Sequence, residues 1–279
     1  MTKLKDAVER VFIVAHREDI TALRSALERE GFTVEVVRGP YLEQQLLWSA
    51  QMRCFANHAN VWRNALTLRG LVLVCEADFV PVEGIGNLPI PFSFPIPSDE
   101  NRFAWLYNPG PTLYGADIAN NLYGHGNTTV CYLFSAKCGK VLVDFFDREI
   151  TKHDGKTYRL WETYLGIFLR WEHGIKNFFV ERQYGEHGGH PNPEHASHGR
   201  RPWQNWHHAD LLAGKLAFLP LYARGSLLRY YAWRLIARAR GAVRIISLRY
   251  FDPRHVDPDQ NRLRLSAYTL RRLARLLIP

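Results

Sequence analysis

The sequence predicts an α/β domain followed by a basic, mostly helical extension, and three observations support this architecture. Apolar runs typical of buried strands alternate with amphipathic helical segments over the first two-thirds of the chain. Apolar residues make up 47% of the 279 residues, which is enough for a sizeable core. The positive charge lies at the other end, because residues 200–279 contain 16 Lys and Arg but only four Asp and Glu. The net charge of +9 is therefore a property of the C-terminal region.

The chain opens with a βαβ pattern. Residues 11–14 form an apolar run typical of a strand, residues 20–30 have the spacing of an amphipathic helix, and residues 33–37 predict a second strand. Arg17 lies in the polar turn after the first strand. A basic residue at this turn is compatible with a phosphate contact and equally with a purely structural turn.

The most informative segment is the apolar run at residues 71–75, which ends in Glu76 and Asp78. It is bounded by glycine and proline and predicts a buried central strand. Ligands of open α/β sheets bind outside the carboxyl ends of strands, which is where both acids lie. Residues two apart in an extended segment point the same way, so both carboxylates could bind one Mg²⁺ or Mn²⁺ ion. An acidic strand end that only caps a neighbouring helix is the alternative.

The block from residue 54 to residue 81 resembles the glycosyltransferase family 25 domain. That family has a helix with the pattern Gly-Cys-x-x-Ser-His-x-x-x-Trp, followed by an apolar strand that ends in Glu-Asp-Asp. The matching residues here are Cys54, His58, Trp62, Glu76 and Asp78. Two positions depart from the pattern, since Asn57 replaces the serine and Ala77 replaces the middle aspartate.

Weaker matches follow in the family's order over residues 10–190. They include residues 127–142, which resemble a strand-to-helix segment, residues 161–165, and a closing strand at residues 179–183. The resemblance implies a GT-A-like (Rossmann-like) nucleotide-sugar-binding domain, predicted at residues 1–195, with the extension at residues 196–279. Glu162 takes the place of a family aspartate and is our predicted catalytic base. An acid in the first turn of a helix, favoured by the helix dipole, is its structural alternative.

The resemblance also implies the ligands and the reaction. We expect a hexosyltransferase that moves a galactose- or glucose-type sugar from a nucleotide-sugar, UDP-sugar being favoured, to a glycan or lipid-linked acceptor of lipopolysaccharide or surface polysaccharide synthesis. Arg17, His58, Glu76 and Asp78 are the expected donor-site residues, with Mn²⁺ or Mg²⁺ bound by the two acids. A structural contact at the strand end is the alternative role of His58. A degenerate family member that binds without transfer, and a metal-dependent hydrolase, are the competing functions.

Four histidines lie in the turn-rich stretch at residues 185–199. Their spacings match no closed structural zinc set, and a mobile loop is one interpretation. In glycosyltransferases of this architecture a C-terminal histidine can complete the metal shell, and His187 and His190 are the candidates here. The Pro-rich residues 81–101 are expected to shape the acceptor side, and the Gly- and Asn-rich residues 108–127 predict a flap over the donor.

The four cysteines lack metal-site spacing and suggest reduced thiols, which together with the absence of an N-terminal signal pattern predicts a cytoplasmic protein. The sequence contains no run of 18 apolar residues, so no membrane span is predicted.

The C-terminal region predicts two basic helices, at residues 226–240 and 262–277. In the second, six leucines are expected on one face, and Arg264, Arg271, Arg272 and Arg275 on the other. A basic amphipathic helix is typical of a membrane surface, so we expect peripheral attachment to the inner face of the membrane. The alternative is that both helices pack on the domain with a solvated arginine face. Nucleic acid is not an expected partner, because no nucleic-acid motif accompanies the charge.

Overall fold

The computed structural model describes residues 2–97, 100–117, 119, 121–188, 208–251, 256–257, 260 and 262–277. The strands are β1 Val8–Val14, β2 Val34–Val37, β3 Leu71–Glu76, β4 Phe79–Pro81, β5 Phe103–Tyr107, β6 Thr112–Ala116, β7 Leu122–His125, β8 Cys131–Ser135, β9 Asn177–Phe179 and β10 Gly185–His187. The helices are α1 Leu4–Ala7, α2 Thr21–Arg29, α3 Ala50–Ala65, α4 Cys138–Lys152, α5 Trp161–His173, α6 Leu227–Ile246 and α7 Arg262–Leu277. Short 3₁₀ turns lie at Glu43–Leu47, Ile85–Asn87 and Leu221–Ala223.

A mixed eight-stranded sheet forms the centre of the protein, in the order β2-β1-β3-β8-β5-β9-β7-β6. β1 is parallel to both β2 and β3, which confirms the predicted βαβ opening. β8 is antiparallel to its neighbours β3 and β5, and β9 is parallel to β5. The α/β fold class is therefore confirmed.

The sheet is buried on both faces, which explains the nearly continuous apolar strands. In β3, Val72 and Val74 pack in one core with α3, α4 and α5. Leu71, Leu73 and Cys75 point to the second core, which α2 covers on the other face. The period-two alternation of a strand thus supplies both layers.

The antiparallel strand β8 brings the chain back to the carboxyl end of β3. Cys75 pairs with Cys131, so the residues just before β8 lie beside Glu76. The Glu76 amide donates to the Val130 carbonyl over 2.9 Å. The carboxyl end of β3 and the residues that lead into β8 therefore lie side by side at the same end of the sheet.

The prediction of a flap at residues 108–127 is wrong for those of these residues that the structure describes. β6 and β7 form an antiparallel pair at the edge of the sheet, and Tyr114 and Tyr123 in that pair are buried. Glycine gives this segment a loop-like composition, but the structure uses it for close packing. A Cβ at Gly124 would lie 2.5 Å from the Thr112 carbonyl oxygen of the partner strand.

The interpretation of residues 185–199 as a mobile loop is wrong at its start. Residues 185–187 form β10, which pairs antiparallel with β4 and places His187 opposite Phe79. Gly188 lies so close to the chain after β3 that an added Cβ would be 2.7 Å from the Asp78 carbonyl oxygen. His190 and the other histidines of this stretch lie outside the described residues.

The two C-terminal helices pack against the sheet domain. Ile245 in α6 and Leu265 and Leu276 in α7 belong to the same core as the buried face of α3. The predicted division of α7 into a leucine face and an arginine face is wrong. Arg272 is buried and donates to Asp210 over 2.7 Å, whereas Leu263, Leu270 and Leu277 are exposed. The division of the chain at residue 195 stays a prediction.

None of the described helices is both long and apolar enough to cross a bilayer.

Candidate active site

Acidic side chains converge where β3 ends. Glu76 is the last residue of that strand, and its side chain is 18% exposed. Its Oε1 accepts a hydrogen bond from the Thr129 hydroxyl over 2.8 Å. Thr129 is fully buried just before β8, so the antiparallel return of the chain fixes the orientation of the Glu76 carboxylate.

His58 holds the other side of the same carboxylate. It lies on the buried face of α3, with Nε2 at 3.2 Å from Glu76 Oε1 and Nδ1 at 2.8 Å from the Tyr132 hydroxyl. The Tyr132 oxygen also accepts from Trp62 Nε1 over 2.8 Å. Burial keeps the pKa of Tyr132 well above its usual value, so its proton is available to His58. The hydrogen bonds then run in one direction, from Trp62 through Tyr132 and His58 to Glu76.

Tyr132→Phe is expected to lower the free energy of unfolding by about 2 kcal/mol, because two buried nitrogens would lose their hydrogen-bond partner. Urea unfolding of the variant and of wild type measures the difference. Tyr164→Phe, which removes the same hydroxyl from an exposed position, is the control and should leave stability unchanged. Equal stability of Tyr132→Phe and wild type would contradict the proposed chain of hydrogen bonds.

Glu162, the predicted base, reaches this centre from the first turn of α5. Its Oε1 is 3.3 Å from the Thr129 hydroxyl oxygen. Burial, followed by the negative charge of Glu76, raises the pKa of the Glu162 carboxyl to about 8. A protonated Glu162 can donate to Thr129 while Thr129 donates to Glu76, which explains how one hydroxyl serves two carboxyl groups.

Asp78 and His187 form an ion pair beside these groups, with 3.0 Å between Asp78 Oδ2 and His187 Nε2. Burial opposes protonation of His187, but Asp78, Glu76 and Glu162 outweigh it and raise the pKa of the imidazole to about 9. Tyr107 is fully buried nearby, and burial together with the charges of Glu186 and Asp78 raises the pKa of its hydroxyl. The structure therefore brings together Glu76, Asp78, Glu162, His58 and His187, which sequence analysis selected from four separate segments.

The predicted extended spacing of Glu76 and Asp78 is wrong, because residues 77 and 78 form a turn after β3. Metal binding by the two acids stays a prediction. Glu76, Asp78 and Glu162 offer carboxylate oxygens, the ligands that Mg²⁺ and Mn²⁺ prefer. Their mutual repulsion, visible in the raised pKa of Glu162, is the electrostatic situation that a cation relieves. Among the described residues, the three side chains that place one ligand atom each within 4.8 Å of the others are not these three acids but Cys54, His58 and Glu76. Burial and the nearby acids raise the pKa of the Cys54 thiol, which disfavours the thiolate that a metal would need.

Arg17 lies three residues after Val14, the residue of β1 that pairs with Glu76. It lies exposed in the turn after β1, and that turn is organised by Arg38, a residue that sequence analysis missed. The Arg38 guanidinium donates to the carbonyls of His16 and Glu18 over 2.8 and 2.9 Å. Asn57, which replaces the family's serine, is buried and links the same region, because its side chain bonds the Ala15 carbonyl and the Gly39 amide.

The largest omission of the sequence analysis is Glu186, the residue before His187. It is completely buried on β10 and pairs with Arg234 of α6 over 3.2 Å and with His208 Nδ1 over 3.2 Å. A buried glutamate needs such partners, since desolvation of an unpaired charge is costly. The C-terminal helix α6 therefore fixes the strand that carries His187.

Comparisons with known proteins add little to this geometry. No protein-family model matches the chain, and no curated protein matches it. One similar solved structure is a glycosyltransferase involved in the glycosylation of the major capsid of PBCV-1. It is 12% identical with a TM-score of 0.39, over 62% of this chain and 83% of that chain. At these values the likeness carries no argument, and the resemblance to family 25 stays a prediction.

Proposed function

We propose that this protein is a glycosyltransferase that uses a nucleotide-sugar donor and a hydroxyl acceptor. The observation that carries the proposal is the carboxyl group of Glu162. This carboxyl group, whose pKa is raised to about 8, lies close to the acids Glu76 and Asp78 at the carboxyl end of β3. A group that titrates near neutral pH is suited to accept and release a proton in the reaction.

The reaction is a displacement at the anomeric carbon of the sugar. The acceptor oxygen forms a bond to that carbon while the bond to the diphosphate breaks, and the leaving phosphate oxygen takes the electron pair. Ionised Glu162 accepts the acceptor's proton, and attack from the opposite face inverts the configuration. Glu76 and Asp78 would hold the divalent cation, which supplies charge neutralisation for the diphosphate when bound.

The surrounding residues position these groups. His58 and Thr129 hold Glu76 from two sides, so its carboxylate keeps one orientation. His187, held by β10, balances the charge of Asp78. Pre-organised polar groups of this kind are what electrostatic catalysis requires.

The finer assignment follows from the resemblance to family 25. It supports a galactose- or glucose-type donor, most simply a UDP-sugar, and an acceptor that is a glycan or lipid-linked precursor of a surface polysaccharide. Ala77 favours a second function, a degenerate member that binds nucleotide or glycan without transfer. It occupies the position of the family's middle aspartate, so one carboxylate of the expected motif is missing.

We expect one nucleotide-sugar to raise the melting temperature of the protein when Mn²⁺ is present. A ligand that binds only the folded state stabilises it in proportion to its occupancy, by about 2.7 kcal/mol at a hundredfold excess over Kd. A thermal-shift screen of UDP-, GDP-, CMP- and ADP-sugars, with and without Mn²⁺, measures this effect. The shift should disappear in Asp78→Asn.

Asp147→Asn is the matched control for this screen. Asp147 lies on the surface of α4, where its side chain is 56% exposed and pairs with Arg63 of α3. The variant should therefore keep the full shift in melting temperature. Sugar transfer to a hydroxyl acceptor then separates the transferase from the degenerate binder, which would show the shift but no transfer. Sugar release without any acceptor would indicate a hydrolase. Absence of a shift with every donor would contradict the proposed function.

A further inference from the structure

The two C-terminal helices expose apolar side chains that the fold does not use. Eleven of the 21 large apolar side chains exposed in the described part of the chain lie between Leu227 and Leu277. On α6 the outward residues recur every three or four positions along the whole helix. They are Leu228, Tyr231, Leu235, Ala239, Val243 and Ile246. Leu228 is 82% exposed and Leu235 is 70% exposed, so this face protrudes from the protein.

The helix α7 carries a second line of exposed apolar residues. Its exposed leucines, Leu263, Leu270 and Leu277, are spaced seven residues apart, which places them on one face. The two helices are neighbours, because Arg238 of α6 donates to the carbonyls of Arg275 and Leu276 near the end of α7. We name this surface the α6–α7 face, defined by the six outward residues of α6 and these three leucines.

The charge of the two helices is entirely of one sign. Together they contain ten arginines and no aspartate or glutamate in 36 residues. Some of these arginines anchor the helices to the protein, as Arg234 does with Glu186 and Arg272 with Asp210. Others, such as Arg229, Arg262 and Arg271, lie on the exposed or half-exposed side of their helices. An apolar face bordered by arginines is complementary to a partner that has both apolar and negatively charged groups.

We propose that the α6–α7 face docks on an anionic lipid surface, with the leucines entering the acyl boundary and the arginines contacting lipid phosphates. Helices that expose apolar side chains together with arginines lie in the plane of membrane interfaces. A second copy of the chain is a poorer occupant. A two-fold symmetric contact would bring two surfaces of the same positive charge together, and neither supplies an acidic partner from these helices. Lipid binding is a property separate from the proposed sugar transfer, and it is measured without any sugar donor or acceptor.

The test is flotation of the full-length protein with vesicles of phosphatidylcholine alone and with about 30 mol% phosphatidylglycerol. We expect the protein to float only with the anionic vesicles, and to float less when NaCl is raised from about 0.1 M to about 0.5 M, because salt screens the arginine–phosphate attraction. The double variant Leu235→Glu, Leu270→Glu should bind anionic vesicles at least about tenfold more weakly, since both side chains would lose their apolar burial.

The control is the double variant Leu42→Glu, Leu46→Glu, which makes the same change at two leucines that are also exposed but lie before α3. It should float like wild type. The circular dichroism of both double variants should match wild type, because all four leucines are exposed. Failure of the folded wild type to float with anionic vesicles would overturn the proposal. Self-association that Leu235→Glu, Leu270→Glu abolishes, in the absence of vesicle binding, would replace it with a dimer interface.

Discussion

Glu162→Gln is expected to lower the rate of sugar transfer by about a hundredfold or more, the usual contribution of a general base. The same variant should be more stable than wild type at alkaline pH. The native carboxyl has a pKa of about 8 against an ordinary value of 4.5. Between these values the native protein therefore retains a proton that the unfolded chain has released. The free energy of unfolding of wild type then falls as pH rises through this window, and glutamine removes that fall.

The measurement is the melting temperature of both proteins from pH 5 to pH 8. We expect the two curves to diverge as pH rises, with Glu162→Gln melting at the higher temperature at pH 8. Glu172→Gln makes the same change on the exposed part of α5, where Glu172 pairs with Arg148, and is the control. It should keep both activity and the pH dependence of wild type. Parallel curves for Glu162→Gln and wild type would show that the Glu162 carboxyl does not carry a raised pKa.

Arg234→Met is expected to lower the free energy of unfolding by about 3 kcal/mol, because it leaves the buried carboxylate of Glu186 without its guanidinium partner. The second effect should be on the site. Glu186 precedes His187 on β10, so loosening that strand weakens the Asp78–His187 pair and the Mn²⁺-dependent thermal shift with it. Urea unfolding and the donor screen measure the two effects separately.

A double-mutant cycle decides whether the ion pair causes this loss. In Arg234→Met, Glu186→Gln the buried charge is removed together with its partner, so part of the lost stability should return. Arg229 lies about one turn before Arg234 on the same helix and away from Glu186. The variant Arg229→Met should therefore lower the free energy of unfolding only slightly. If the double variant is as unstable as the sum of the two single variants, the Arg234–Glu186 contact contributes no coupling energy.

The local elements of this fold could be predicted from the sequence, and its long-range partners could not. The opening βαβ unit, α3 and the acidic end of β3 follow from apolar periodicity and from the turn residues beside them. Thr129, by contrast, is matched only as part of the strand-to-helix segment at residues 127–142, and its contact with Glu76 depends on the antiparallel pairing of β8. Periodicity within one segment carries no information about which strand lies beside it.

The errors have physical causes that recur in sequence interpretation. Glycine-rich residues around β6 and β7 suggested a flap, although glycine there allows close strand packing. In α7, apolar residues occur on two sides of the helix, so the pattern did not show which side is buried. The protein buries the side that carries Arg272 because Asp210 and the Glu181 carbonyl accept from it. A helical-wheel projection places arginine on the solvent side and does not reveal a distant partner such as Asp210.

The pairing of β10 with β4 and of Glu186 with Arg234 also sets the order in which the protein can assemble during synthesis. β4 and β10 are about a hundred residues apart in the chain, and Arg234 follows nearly fifty residues later. Contacts of such sequence separation form slowly, because a long loop must close before they are made. The sheet around Glu76 can therefore form while the ribosome is still extending the chain, whereas the strand that carries His187 is fixed only after α6 has emerged.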